Sequence, residues 1–221
     1  MCKSVVVPAD GTAEGSGATM SDVTTPDAAP RDAGSPASGD RRMRADARRN
    51  HVRLVEAART AFAARGSDAS MEEIARTADV GVGTLYRHFP RRIDLVEAVY
   101  REDVDALVAR SDELAVTAPP WEALAQWLEA FVAYAATKRT FLTELHEAFG
   151  KSPDLAVSSR ERISAASGRL LARAQEAGLA RTDIDQRELM QLVGGMCMGR
   201  GSTLEGNLGL LTFVLDGIRA R

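Results

Sequence analysis

The sequence predicts an all-α chain, with a short three-helix head ahead of a larger helical body. Three observations carry that prediction. Apolar side chains recur at helical spacing from Leu54 to Ile218, and no window shows convincing period-2 alternation. Two short helical patterns flank a turn at Asp79-Val80-Gly81, and Ala118-Pro119-Pro120 sets off a long apolar helix beyond them. Charge is also uneven along the chain: residues 41–92 hold 12 basic and 6 acidic side chains, a net of +6, against −4 for residues 1–40 and −5 for residues 93–221. These shifts divide the chain into an extension (1–40), a head (41–92) and a body (93–221).

Residues 1–40 are rich in Ala, Gly, Pro, Ser, Thr and Asp and have few large apolar side chains apart from Val5-Val6-Val7, so they are expected to be disordered. Translation could equally begin at Met1, Met20 or Met43. The valine triplet is too short for a signal-peptide core, and no apolar run approaches the ~20 residues of a membrane span. A cytoplasmic location is the expectation.

Arg41-Arg42-Met43-Arg44 and Arg48-Arg49 form a basic arm leading into a first helix, whose buried stripe is Leu54, Val55, Ala58, Ala61 and Phe62. Such an arm suits phosphates or the minor groove, or else serves as a solubilising tail. Ser70 and Glu73 have capping-box spacing, which starts a second helix near Met71 with Ile74, Ala75 and Ala78 on its apolar side. Asp79-Val80-Gly81 breaks it, because Asp favours turn bonds and Gly opens φ values other residues resist. Val82, Leu85 and Phe89 then place one buried face on a third helix, leaving Gly83, Thr84, Arg87 and His88 outward and Tyr86 on the flank. That outward face offers groups able to bond base edges and phosphates. The +6 balance fits a DNA-reading surface on a body that avoids DNA, or simply a solvated basic face. Pro90 ends the third helix or opens the fourth, which is expected from Arg92 to about Ala109.

The run Thr84-Leu85-Tyr86-Arg87-His88-Phe89-Pro90, with Ile74-Ala75, Val80 and Leu95, resembles the amino-terminal domain of TetR-family transcriptional regulators. Arg53 to Ala58, Phe62 and Gly66 match that family's first helix, so the resemblance covers roughly residues 45–100. It implies a helix-turn-helix in helices two and three, and a helical ligand-binding and dimerisation domain beyond. On this pattern Thr84 and His88 face the groove, Tyr86 bonds a phosphate, and Arg92 holds the DNA backbone. Arg87 reads guanine through its forked donors, or contacts a phosphate. Gly81 and Val82 depart from the commoner pattern; Val82 can touch only a thymine methyl, which leaves fewer positions for base reading. Arg44, Arg48, Ser70, Val82, Gly83, Thr84, Tyr86, Arg87, His88, Arg91 and Arg92 are the candidate DNA-contacting residues.

The body opens with a helix that is apolar nearly all round, from Trp121 through Leu128 to Ala135, with a narrow polar stripe at Glu122, Gln126 and Glu129. Further helices are expected around Phe141 to Phe149 and Ile163 to Ala174, broken by Gly150 to Pro153 and by Gly178, and then over Glu188–Arg200 and Leu204–Arg219. Trp127, Phe131, Tyr134, Phe141, His146, Met190 and Met196 are the candidate lining of a pocket for a mostly apolar small molecule, against the alternative of ordinary core packing. In the family, the last two helices pair across a two-fold axis. Here Leu189, Leu192, Val193, Met196, Leu208, Leu211, Val214, Leu215 and Ile218 supply the apolar area, with Gly194 and Gly195 permitting close approach.

Catalysis finds little support. Cys2 and Cys197 lack metal spacing, Glu144 to Glu147 has the wrong spacing for a di-iron bundle, and no Walker loop, dinucleotide fingerprint or nucleophile elbow appears. No cofactor and no metal are expected. The reading is a homodimeric regulator that a small-molecule effector releases from a palindromic double-stranded DNA operator, most simply a repressor. A same-fold activator, or a helical small-molecule carrier or enzyme, are the alternatives.

Overall fold

The computed structural model describes residues 36–220. They form α1 (Pro36–Arg65), a 3-10 turn (Gly66–Asp68), α2 (Met71–Thr77), α3 (Val82–His88), α4 (Arg92–Thr117), α5 (Pro120–Thr140), α6 (Leu142–Lys151), α7 (Pro153–Glu176), α8 (Gln186–Cys197) and α9 (Leu204–Ile218). The only β pairing among the described residues is an isolated antiparallel bridge between Ala180 and Arg219. No helix of these is long and apolar enough to cross a membrane.

Three elements run longer than the sequence periodicity implies. The segment 41–49, expected as an arm ahead of the first helix, lies inside α1, as do residues 36–40, expected as part of a disordered extension. Its arginines, alanines and methionine are strong helix formers, and Asp46 pairs with Arg49 one turn on. Residues 1–35, including Met1, Met20 and Cys2, lie outside the described residues. Helix α4 passes Ala109 and continues to Thr117, because Leu114 keeps the buried stripe going and no breaker comes before Pro119. Gly150 does not break α6; the chain turns at Ser152, and Pro153 occupies the first turn of α7, where its missing N–H costs nothing.

The turn between α2 and α3 also differs from expectation. Asp79, with φ 51°, takes the left-handed position, while Gly81 sits at an extended φ of −61° as the cap of α3. The Asp79 N–H donates to the Arg76 carbonyl at 3.1 Å and the Val80 N–H to the Ala75 carbonyl at 3.0 Å, which together close the end of α2. Arg53 on α1 holds the Asp79 carboxylate at 2.9 Å.

Two cores organise the packing, and they do not divide at residue 92. The first gathers Leu54 and Phe62 of α1, Ile74 of α2, Leu85 of α3 and Leu95 and Val99 of α4, then adds Phe141 and Leu145 of α6 and Leu155 of α7. The second is built on Trp127 and Leu128, with Leu107, Leu170, Leu189, Val193 and Leu211 around them. Each large side chain so buried contributes about 1.5–3 kcal/mol. The head is thereby seated on the body through α6.

At that seat α1 ends on Gly66, whose φ is +56° and where an added Cβ would lie 2.6 Å from the carbonyl oxygen of Thr140, the last residue of α5. Only glycine satisfies both the left-handed backbone and the close approach. Gly66→Ala is expected to lower stability by about 2 kcal/mol. Gly150→Ala, where nothing lies within 4 Å, should raise it by about 0.5 kcal/mol; urea midpoints of the two variants check both.

Candidate nucleic-acid interface and ligand cavity

The head presents α3 outward. Gly83 and Arg87 are exposed, Tyr86 is half exposed, and Thr84 and His88 are partly covered. Leu85 and Phe89 are buried as expected, but Val82 is 42% exposed, because it lies in the first turn, where the helix leaves the core. Val82 is therefore part of the outer surface rather than of the buried face. Arg87 has no hydrogen-bond partner among the described residues, so its forked donors are free for base edges or phosphates.

Beside this surface runs α1. A shallow groove is lined by Met43, Asp46, Ala47 and Asn50 of α1 together with Thr84, Arg87 and His88 of α3. Arg44 and Arg48 are one turn apart and exposed, next to the groove-lining positions. The basic residues are thus carried on a helix in fixed register with α3. His51, which sequence reasoning passed over, stands 6.1 Å from the His88 ring and 5.1 Å from Phe89. Burial, with His51 beside it, pushes the His88 imidazole below its ordinary pKa. At pH 7 it is accordingly neutral, with one nitrogen donating and the other accepting. The two histidines stand 37 positions apart, which leaves no local signal of this pairing.

Other predicted contacts have intramolecular partners. Ser70 Oγ accepts from the Glu73 N–H at 3.1 Å, so it caps α2. The Glu73 carboxylate is gripped by Arg65 at 2.7 Å, which holds it below the usual carboxylate range. The Tyr86 hydroxyl donates to Glu72 at 3.1 Å, an interaction that raises its pKa. Arg91 pairs with Asp94 at the start of α4, whose carboxylate also accepts from the Arg91 N–H at 2.9 Å.

Arg92 is the clearest departure. Its guanidinium turns inward, donating to the carbonyls of Ala69 and, at 3.1 Å, Gly66, lying 4.8 Å from the Phe62 ring centroid and reaching Glu144 of α6 at 3.5 Å. A side chain committed to this set braces the head, and its donors are directed to these partners rather than outward, where the family resemblance places a phosphate. Arg92→Ala is expected to cost about 2 kcal/mol of folding stability, whereas Arg87→Ala stays within about 0.5 kcal/mol of wild type. Thermal unfolding of both variants separates bracing from surface roles.

In the body a cavity of about 710 Å³ opens between α4, α5, α6, α7 and α8. Phe131, Tyr134, His146 and Met190 line it, as expected from the sequence. Three candidates do not. Trp127 is fully buried, donating its indole N–H to the Leu107 carbonyl at 2.9 Å and stacking on Phe131; Phe141 packs against Phe62 at 5.5 Å in the first core; Met196 packs on the second core. Trp127 and Phe141 are buried in the two cores, whereas Met196 is only partly covered. Among the lining residues missed are Tyr100, Lys138, Phe149, Arg160 and Arg187. Lys138 stands four residues after Tyr134 and seven after Phe131, a helical spacing that places all three on one face. The Tyr134 hydroxyl is buried beside Tyr100 without a well-aligned hydrogen bond among the described residues, and burial, followed by Tyr100, raises its pKa. No cluster of three or more metal-binding side chains occurs among the described residues.

On α8 and α9 the expected apolar area splits in two. Leu189, Val193, Leu211 and Ile218 are spent on the chain's own core, while Leu192 and Leu208 are exposed beside Leu204, Leu210 and Phe213, which is 74% exposed. Arg139 of α5 fastens the link between these helices, donating to Ser202 O at 2.7 Å and Gly199 O at 3.3 Å.

Comparison with known proteins places both parts. Residues 54–99 match the model of bacterial regulatory proteins of the tetR family, and residues 119–220 match the C-terminal domain model of SbtR-like transcriptional regulators. An HTH-type transcriptional regulator of Staphylococcus aureus (strain USA300), SAUSA300_2515, is 37% identical over 73 residues, which are 33% of this chain and 40% of that relative. The chain thus spans 40% of the length of the curated relatives it matches. Two crystal structures align far more completely. The TetR transcriptional regulator SCO0520 from Streptomyces coelicolor is 35% identical, with a TM-score of 0.69 over 77% of this chain and 98% of that one. A TetR regulatory protein from Mycobacterium vanbaalenii is 34% identical, with a TM-score of 0.64 over 80% of this chain and 99% of that one. Likeness at these identities along nearly the whole of both solved chains is that of a family member: this protein belongs to the TetR family of helix-turn-helix transcriptional regulators.

Proposed function

We propose that the protein acts as a homodimeric repressor that binds a roughly palindromic DNA operator and is released from it by a small molecule in the body cavity. The observation that carries this reading is the unpartnered Arg87 on an exposed α3, flanked by the arginines of α1 within a segment of net charge +6. Recognition by Arg87, Thr84 and His88 would supply base contacts, with Tyr86, Arg44 and Arg48 on the backbone. Ser70, Gly83, Val82 and Arg91 border that surface; Ser70 acts chiefly as a cap, and Arg91 would first have to loosen from Asp94. Dimerisation through α8 and α9 is supported by their exposed Leu192, Leu210 and Phe213, an apolar surface unusual for a monomer. A two-fold pair would set two α3 helices on successive major grooves.

Release by an effector follows from linkage, since a ligand that favours head positions unsuited to the operator and the operator itself must weaken each other. Binding-site selection from random DNA should return a palindrome, and affinity should fall with salt at a log–log slope of about −0.9 per phosphate contact. Arg87→Ala is expected to relax the preference at one base pair by about tenfold. Arg48→Ala should weaken all sequences alike. Sedimentation of Phe213→Asp should show a monomer; a dimer of unchanged strength would move the interface elsewhere.

A further inference from the structure

The cavity carries a charge pattern that a purely apolar effector would leave unused. Lys138 stands in its wall, Arg160, Arg187 and His146 stand at its rim, and no Asp or Glu lines it. None of Lys138, Arg160 and Arg187 has a carboxylate partner among the described residues, whereas Arg162 and Arg169, on the same helix as Arg160, pair with Asp105 at 2.6 Å and Asp112 at 2.7 Å. The internal carboxylates Asp103 and Glu144 are taken as well, by Arg59 at 2.6 Å and by Arg92. Lys138 is therefore a largely buried cation with another cation, Arg160, as its charged neighbour. Both effects pull its pKa down, burial more than Arg160.

The aromatic walls bear on the choice of ligand too. The Lys138 ammonium lies 5.5 Å from the Tyr100 ring centroid and 5.7 Å from that of Phe149. A cationic ligand would have to displace Lys138 from these faces and meet the rim arginines. An anion would instead supply the missing counter-charge, with the buried Tyr134 hydroxyl as a further donor and Phe131 and Met190 against its apolar part.

Taking the effector-cavity reading as its base, we infer that the cavity binds an amphipathic anion, a carboxylate, sulfonate or phosphate on an aromatic or aliphatic body, with Lys138 as its principal counter-charge and Arg160 and Arg187 as its electrostatic funnel. A cavity of about 710 Å³ is of the size that holds such a molecule.

The test uses the full-length protein and two fluorescent probes with one ring system, the anionic 1-anilinonaphthalene-8-sulfonate and the neutral N-phenyl-1-naphthylamine. Wild type should bind the sulfonate about tenfold or more tightly than the neutral probe, and each should displace the other. Lys138→Met, which keeps an apolar stem against Tyr100 and Phe149, should erase that preference by weakening the sulfonate about tenfold, with the neutral probe still bound. Retention of the neutral probe also shows that the variant cavity is intact. Lys138→Arg should keep the preference, and Arg160→Gln should reduce it. Equal affinities in wild type, or a preference indifferent to Lys138→Met, overturn the anion assignment and leave the cavity as a neutral-ligand site. Failure of both probes to bind overturns the effector-cavity reading itself, and the assignment with it.

Discussion

The placement of the head on the body depends on one guanidinium. Arg92 satisfies the Gly66 and Ala69 carbonyls of the turn between α1 and α2, covers Phe62, and reaches across to Glu144 on α6. Hydrogen bonds from a charged donor in a half-buried setting are worth about 1.5–3 kcal/mol each. The entry to the helix-turn-helix, the start of α4 and the body are thus tied together by a single side chain. Helix α6 also carries His146 and Phe149 on the cavity. One short helix therefore touches both the body cavity and the brace of the DNA-reading head, and would be the physical carrier of the linkage proposed between them.

The brace works together with a backbone contact. Gly66 brings the end of α1 against the end of α5, where any Cβ would strike the Thr140 carbonyl. Phe141, immediately after that contact, enters the first core beside Phe62, and α6 follows it. Head and body are consequently separate in charge but continuous in packing. The composition boundary near residue 92 marks where DNA-facing charge stops, while the two hydrophobic cores interleave along the chain, α5 belonging to the second and α6 to the first.

Much of this is legible in the sequence. Local rules placed α2 through the Ser70 cap, ended α3 before Pro90 and started α5 after Pro119, because caps and prolines act over a few residues. The outward face of α3 followed from Leu85 and Phe89 alone. Roles set by distant partners were not legible. Arg92 looks like any basic residue at a helix start until the Gly66 turn, Phe62 and Glu144 surround it. Trp127 and Phe141 are as aromatic as Phe131, and only the neighbouring helices decide which of them meets a cavity. Val82 and Asp79 misled for a different reason: periodicity assumes a full helical turn, and a first turn or a left-handed cap does not obey it.

Tyr134 and Ile163 pack against both cores and also line the cavity, so the empty space lies at the seam between them. The two cores therefore meet across an open cleft, with Tyr134 and Ile163 among the side chains common to both. In the proposed reading, an occupant of that cleft would touch residues of both cores at once, and so would bear on how independently the head fluctuates even if it moved no helix at all.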